Sequence, residues 1–379
     1  MQNDINFRAK CSSIFNRLIL LIIVFFIIEN VNSQSRLLDH QFDSKFLREN
    51  RIVNVYLPKD YFSNKDNYPV LYLLDGEYIF DFAKGSVDFL SNEFGFMPKL
   101  IIVSIPNTDR IRDLNVTFNS TDGYINFLSF LELELLPFIN SKYRTNNFNT
   151  LYGWSTASSI CTYLLATNSK MFKAYIETGS GIGKKTAEFI KNEIQNQDYL
   201  NTFLYANTED NSGREKHLWV YKSVLDSIKP HGINYMFSIE NDSHVGAMSK
   251  GLYEGLKFIF NGYYIPEIEI KKGKESIIAY YKSLENIYGF KVKIPLGAFI
   301  ECSSILYQDK PLEAISLLEY GLTIYPVSSE LYGTLAEIYE YRNQYDKAKI
   351  QYNNAFLYAE SNSIAKRKYS VLMNKFKEN

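Results

Sequence analysis

The sequence predicts a three-layer α/β sandwich around a mostly parallel central sheet, followed by a small all-α module. Three observations carry this. Apolar blocks without alternation recur at Pro69 to Leu74, Leu100 to Ile105 and Asn149 to Gly153, as in strands buried on both faces. Segments of helical period lie between later strand-like blocks, which is the order of a parallel sheet joined by helices. The last hundred residues carry helical periodicity and no strand signal.

Taken in order, the chain opens with Arg8, Lys10 and Arg17 before the apolar run Leu18 to Ile28, then Glu29 to Gln34. A basic segment, a dozen apolar residues and a small residue before a polar one predict a cleavable secretory signal over 1–33, cut after Ser33. The run is shorter than the ~20 residues that cross a bilayer. A secreted or periplasmic protein follows as the expectation. Arg51 to Pro58 alternates polar and apolar and reads as an early strand. Tyr68 to Gly76 is a buried strand ending in Asp75-Gly76, and Leu100 to Ile105 is another. Gly123 to Lys142 has apolar residues at helical spacing. Asn149 to Gly153 is a strand, Thr156 to Thr167 a helix, Phe172 to Glu177 a strand and 186–195 a helix. Thr202 to Ala206, Glu215 to Ile228, Ile233 to Ile239 and Val245 to Phe260 continue the alternation. These elements make one domain over 34–266.

A helical domain over 267–379 is expected from blocks at 297–307, 311–325, 331–342 and 345–360. Cys302 answers to Ala336, Tyr307 to Tyr341, Ala314 to Ala348 and Gly321 to Ala355 at a 34-residue offset. That period, with small residues where helices cross, resembles tetratricopeptide repeats. Only about one and a half repeats are recognisable, so the module is expected to dock on the larger domain or on a second subunit. A protein partner or homodimer through these helices is the matching partner expectation.

A formal charge of −1 and a pI near 6.5 leave no electrostatic footprint for nucleic acid. Neither H-E-x-x-H nor a Cys-rich spacing occurs, so no metal or other cofactor is expected. The run from Thr178 to Thr186 fails as a phosphate loop, because Lys185 stands where Ser or Thr belongs; it is read as a loop bordering the site. Asn115-Val116-Thr117, Asn119-Ser120-Thr121 and Asn241-Asp242-Ser243 fit the glycosylation triplet.

The chemistry-bearing stretch is Leu151-Tyr152-Gly153-Trp154-Ser155-Thr156-Ala157. A strand runs into Gly153 and a helix follows, which places Ser155 on a one-residue turn, where the α/β-hydrolase fold puts its nucleophile. Activating a serine needs a base, an acid to orient that base, and main-chain donors for the oxyanion. His217, His231 and His244 lie downstream of Ser155. His217 falls in a helix and His231 in a turn before a strand, whereas His244 follows a strand end and is taken as the base. The acid belongs after Thr202 to Ala206, where Glu209 is favoured over the adjacent Asp210. The Thr156 N–H is one oxyanion donor, and the turn at Gly76 and Glu77 supplies the second.

The catalytic part resembles the putative esterase family of α/β-hydrolases, which includes enterochelin-esterase-like and esterase D-like enzymes. The resemblance rests on VYLP at Val55 to Pro58, PVLYLLDGE at Pro69 to Glu77, IIVSIPN at Ile101 to Asn107, RIRDL at Arg110 to Leu114, LYGWS ending in Ser155 and DSHVG around His244. It implies that the Glu77 amide serves the oxyanion, and that the helical C-terminus is a family feature. Where the family has G-H-S-x-G-G, this chain has Trp154, Ala157 and Ser158. Trp154, Arg110 and Arg112 are the candidates for substrate contact, with an internal ion-pair cluster the favoured role for the two arginines. Two functions are expected from these residues: a serine esterase acting on a siderophore-, sugar- or aryl-ester-like small molecule, or an impaired hydrolase fold that binds a protein or glycan.

Overall fold

The computed structural model describes residues 36–375, apart from 94, 118–122 and 211. The signal segment 1–33 and the triplet at Asn119 lie outside the described residues. The core is an eight-stranded sheet of β1 (Leu37–Ser44), β2 (Glu49–Tyr56), β3 (Tyr68–Leu74), β4 (Ile101–Ile105), β5 (Thr145–Trp154), β6 (Ala174–Thr178), β7 (Thr202–Glu209) and β8 (Ile233–Glu240). Their spatial order is β1-β2-β4-β3-β5-β6-β7-β8. Only the β1–β2 and β2–β4 pairs are antiparallel. From β4 to β8 the strands are parallel, so their carboxyl ends share one edge, where functional loops collect.

Among the described residues, ten α-helices accompany the sheet before the last five: α1 (Gly76–Asp88), α2 (Arg110–Leu114), α3 (Gly123–Phe130), α4 (Leu136–Lys142), α5 (Ser158–Thr167), α6 (Lys184–Ile194), α7 (Glu215–Ile228), α8 (His244–Ile259), α9 (Glu267–Ile270) and α10 (Lys274–Tyr288). Helices α3 to α7 pack with Val70, Tyr72, Ile101 and Val103 on one face of the sheet. Helices α1 and α8 pack with Leu71, Leu73, Ile102 and Ile176 on the other. This is the α/β-hydrolase sandwich.

Several elements stand outside the sequence expectations, each for a physical reason. Strand β1 is an edge ribbon whose side chains alternate between exposed and half-buried, so it lacks the apolar signal of its neighbours. Helix α1 buries Ile79, Ala83 and Val87, but the exposed Tyr78 and Phe82 blur that stripe. Between α3 and α4 the chain widens into a π-turn over Leu131–Leu135; Pro137 follows, lacks an N–H and would clash with an α-helical carbonyl four residues back. Helix α10 buries Ile277, Tyr281, Leu284 and Tyr288, a helical spacing between Gly273 and Gly289, both at positive φ.

The C-terminal helices α11 (Leu296–Leu306), α12 (Pro311–Ile324), α13 (Ser329–Tyr341), α14 (Tyr345–Tyr358) and α15 (Ile364–Lys375) follow. Cys302, Ala336, Ala314, Ala348, Gly321 and Ala355 are all buried, and the Tyr307 and Tyr341 rings meet at 5.2 Å. The small residues of the 34-residue offset thus sit at helix crossings. The module is seated on the α/β domain through Tyr288, whose ring lies 5.9 Å from Phe148, 6.0 Å from Phe203 and 5.6 Å from Phe260. Aromatic contacts of this kind stabilise by about 0.5–1.5 kcal/mol per pair beyond area burial. Cys161 and Cys302 are buried and free. A cleft of about 860 Å³ between the two parts, lined by Tyr68, Lys99, Tyr281 and Tyr325, lies at the amino ends of the strands, away from Ser155.

Candidate active site

Ser155 has φ +55°, a left-handed conformation that a non-glycine residue holds only at a cost of about 1–3 kcal/mol. It opens a 3₁₀ turn, Ser155–Ala157, before α5 begins. The helix therefore starts two residues later than the sequence suggests, because the tight turn must first reverse the chain. The demand for a small residue falls on Gly153: a Cβ there would come 2.6 Å from the Ala157 carbonyl oxygen. Ala157 itself is buried without conflict. Ser158, where the family has glycine, donates from Oγ to the Ser155 carbonyl at 2.6 Å, and Ser159 donates to Thr156 O at 2.7 Å. Both hydroxyls fasten the turn.

Across the turn stands His244, the first residue of α8. Ser243 caps that helix, its Oγ accepting from the Gly246 N–H. His244 Nδ1 is 2.9 Å from Glu209 Oε2. Glu209 ends β7 and is 4% exposed. Burial pushes its carboxyl up, but the hydrogen bond from His244, a main-chain bond and the charges of His244 and Arg214 outweigh burial and hold it at about 2. It is ionised at neutral pH. Asp210, the neighbouring candidate, is exposed one residue beyond the strand, its N–H donating to Glu240 O; the imidazole is bonded to Glu209. His217 is an exposed residue of α7 whose carbonyl accepts from Ile182 N–H. His231 precedes β8, at the opposite edge of the sheet. Among the described residues no hydrogen bond runs from Ser155 to His244; such contacts commonly tighten only when substrate is bound.

Trp154 builds the wall between these groups. Its Nε1 donates to the His244 carbonyl at 3.2 Å, its ring lies 5.0 Å from the imidazole, and the Tyr78 ring meets it edge-on at 6.2 Å. Gly179 (φ +57°) passes beneath the imidazole, and a Cβ there would be 2.4 Å from His244 Cε1. Of the Thr178 to Thr186 run, the loop part is 179–183, between β6 and α6, and it borders the site at Gly179.

The β3–α1 turn faces the elbow. Asp75 is in the left-handed region at φ +53°, and a Cβ on Gly76 would strike Ser104 Oγ at 2.2 Å. Glu77 and Thr156 lie at the starts of helical turns, where main-chain N–H groups have no intrahelical acceptor and where negative charge is stabilised. The Glu77 carboxylate is turned to Asn107 Nδ2 at 2.7 Å. Arg110 grips the buried Asp75 with Nε at 2.7 Å and Nη2 at 2.8 Å, and the same Nη2 reaches Trp154 O at 3.2 Å. One guanidinium thus ties the β3–α1 turn to the turn that carries Ser155. Arg112 is engaged elsewhere: it bonds Glu49 and Asp113 beside the fully buried Arg51. The two arginines are therefore held in ion pairs, with only Arg110 at the site. Arg110→Met should leave the buried Asp75 carboxylate without its counter-charge, held only by the Asn107 amide, and cost about 3 kcal/mol of stability. Urea unfolding checks this, and adding Asp75→Asn should restore part of the loss.

Several contributors escaped the sequence. Arg214, whose Nη1 lies 2.5 Å from Glu209 Oε1, stands in a short loop with no motif to mark it. Asn107 is legible only as the end of IIVSIPN. Glu177, fully buried in β6, has no sequence signal. Among the described residues, no group of three or more His, Cys, Asp or Glu is placed to hold a metal ion, and no helix is long and apolar enough to cross a membrane.

The strand order and the helices on both faces of the sheet define the α/β-hydrolase fold. Residues 44–227 match the model of the "Putative esterase" family; the match includes Ser155 and Glu209 and stops short of His244. An IroE-like serine hydrolase from Shewanella oneidensis has a similar structure, with TM-score 0.62 and 24% identity over 85% of this chain and 100% of that one. An uncharacterised protein from Capnocytophaga ochracea is similar at TM-score 0.63 and 20% identity, covering 90% and 100%. Both shares exceed what the α/β domain alone supplies, so the fold likeness runs into the C-terminal helices. The BES protein from Bacillus cereus covers 60% of this chain and 95% of its own, at TM-score 0.51 and 20% identity. No curated protein matches the chain.

Proposed function

We propose that the protein is a serine esterase that cleaves a small-molecule carboxylic ester through an acyl-enzyme. The observation that carries this reading is the 2.9 Å bond between His244 Nδ1 and the ionised Glu209, beside a serine held at positive φ on a strand-to-helix turn. With Nδ1 protonated toward Glu209, Nε2 has a lone pair free to act as base. Ser155 Oγ attacks the ester carbonyl carbon as its proton passes to Nε2. The carbonyl π-electrons move to oxygen, which is stabilised by the Glu77 and Thr156 N–H groups. Collapse expels the alkoxide, protonated by the imidazolium that Glu209 stabilises. Water, deprotonated by His244, then hydrolyses the acyl-Ser155 and frees the acid.

Tyr78 and Trp154 offer aromatic faces beside the serine, which suits a siderophore- or aryl-ester-like substrate better than a plain sugar ester. A siderophore hydrolase, EstB from Aspergillus nidulans, shares the fold at TM-score 0.50. The reading includes a secreted or periplasmic location: the mature N-terminus, sequenced from the native host, should begin at Gln34. The site itself is tested by a fluorophosphonate probe, which should add to Ser155 in the wild type, as read by peptide mass spectrometry. Folded protein that takes up no probe would sink the esterase and favour a binding role.

A further inference from the structure

Arg214 touches both members of the His–acid pair and makes a bond that the esterase chemistry does not use. Its Nη1 is 2.5 Å from Glu209 Oε1 and 2.6 Å from His244 Nδ1. The same Nδ1 is 2.9 Å from Glu209 Oε2. A neutral imidazole has one N–H and one lone pair, and a guanidinium only donates. Nδ1 therefore cannot accept from Arg214 and donate to Glu209 at once. The Arg214 bond belongs to the tautomer with its proton on Nε2, which cannot take the proton of Ser155. The Glu209 bond belongs to the tautomer that can.

The guanidinium is also placed to leave. Its side chain is 45% exposed, and it follows Gly213, which is at φ +81° with open space around it. Its Nε and Nη2 have no hydrogen-bond acceptor among the described residues. Among the described residues, Asp242 nearby is engaged by Lys250 at 3.1 Å, and Arg110 by Asp75. Arg214 is thus a cation beside His244 with donors to spare, and planar guanidinium donors match a carboxylate bidentately.

We propose that Arg214 is a latch and an anion receptor: it competes with Glu209 for His244 Nδ1 and holds most of the imidazole population in the unreactive tautomer, and an ester carrying an anionic group near the scissile bond draws it off and releases the base. This rests on the serine-esterase reading and names its substrate class. Arg214 acts through His244 and is a positioning residue until such an anion binds.

Two readouts test it, and one needs no activity. Proteins labelled with ¹⁵N-histidine are compared as wild type and Arg214→Gln, at a pH where the imidazole is neutral. The His244 signal should show the lone pair on Nδ1 in the wild type and on Nε2 in the variant. A wild type already protonated on Nδ1 would overturn the latch. For the second readout, p-nitrophenyl butyrate is compared with p-nitrophenyl hydrogen succinate, neutral and anionic acyl groups of equal length. Arg214→Gln should raise kcat for the butyrate about tenfold, the fraction of competent sites having been limited by one charged hydrogen bond, and should abolish the preference for the succinate. Arg214→Lys should keep that preference in part. Equal losses on both esters, or an unchanged ratio in Arg214→Gln, would overturn the receptor. If ester cleavage survives Ser155→Ala, the esterase assignment fails while the tautomer measurement still stands, so the two failures are distinguishable.

Discussion

Ser155→Ala should lower kcat for an activated ester by about 10⁴-fold or more, His244→Ala should do nearly as much, and the double variant should be no worse than either single one. Groups that act as a unit lose their joint contribution when one is removed, so their losses do not multiply. The residual rate would come from the Glu77 and Thr156 amides, which neither substitution touches. If the losses multiplied, the two side chains would be working independently and the acyl-enzyme route would be wrong. The backbone supplies a second measurement at the same position. Ser155 is at φ +55°, so Ser155→Gly should be inactive yet more stable, by about 1 kcal/mol, because glycine holds that conformation without a Cβ penalty. Alanine keeps the penalty, and Ser155→Ala should unfold with the wild type. A serine under local strain that stability would prefer to lose is what a nucleophile turn predicts.

The sequence made the parallel sheet legible because buried parallel strands are apolar on both faces, and Tyr68 to Leu74 and Ile101 to Ile105 carry that signal without interruption. Strand β1 has no such signal, since an edge strand with alternating exposure looks like a polar loop until its partner is known. Ser155, Glu209 and His244 could be placed because each lies at or just past the carboxyl end of a strand in the shared direction, so topology alone brings them to one edge. Sequence could not choose Glu209 over Asp210 on chemistry, since adjacent residues point to opposite sides of a strand end and only the pairing register decides which faces His244. Arg214 and Asn107 were out of reach for a different reason. Each works by holding another residue, Arg214 on Glu209 and Asn107 on Asp75, and such roles depend on contacts across more distant chain. The departures at Ala157 and Ser158 lose their force in three dimensions, because Gly153 carries the steric demand and the Ser158 hydroxyl has a use.

Glu177 should give the protein a stability that falls as pH rises from about 5 to 8. The residue is fully buried between Thr162 of α5, Ser180 and Tyr221 of α7. Burial pushes its carboxyl up to about 8, against which the three hydroxyl bonds work only in part. In the unfolded chain it titrates near the ordinary 4.5. Between those values the folded protein holds a proton that the unfolded chain has released, so the slope of stability with pH is negative. The contribution is fully present below about 4.5 and lost through about 8, on the order of a few kcal/mol in all. Glu49 and Glu209 are both held down at about 2, so their contributions are present above the ordinary carboxylate range and lost only as pH falls toward 2. The acid and alkaline limbs therefore belong to different residues. Glu177→Gln should flatten the alkaline limb and leave the acid limb unchanged in urea melts taken from pH 3 to 9. A wild-type limb that is flat between pH 5 and 8 would show that Glu177 is not held protonated. The consequence reaches the site, since Gly179 lies two residues beyond Glu177 and directly under the His244 imidazole. Ionising Glu177 puts an uncompensated charge beneath the loop that sets the height of the base, so activity should fade on the same alkaline limb in the wild type and persist further in Glu177→Gln.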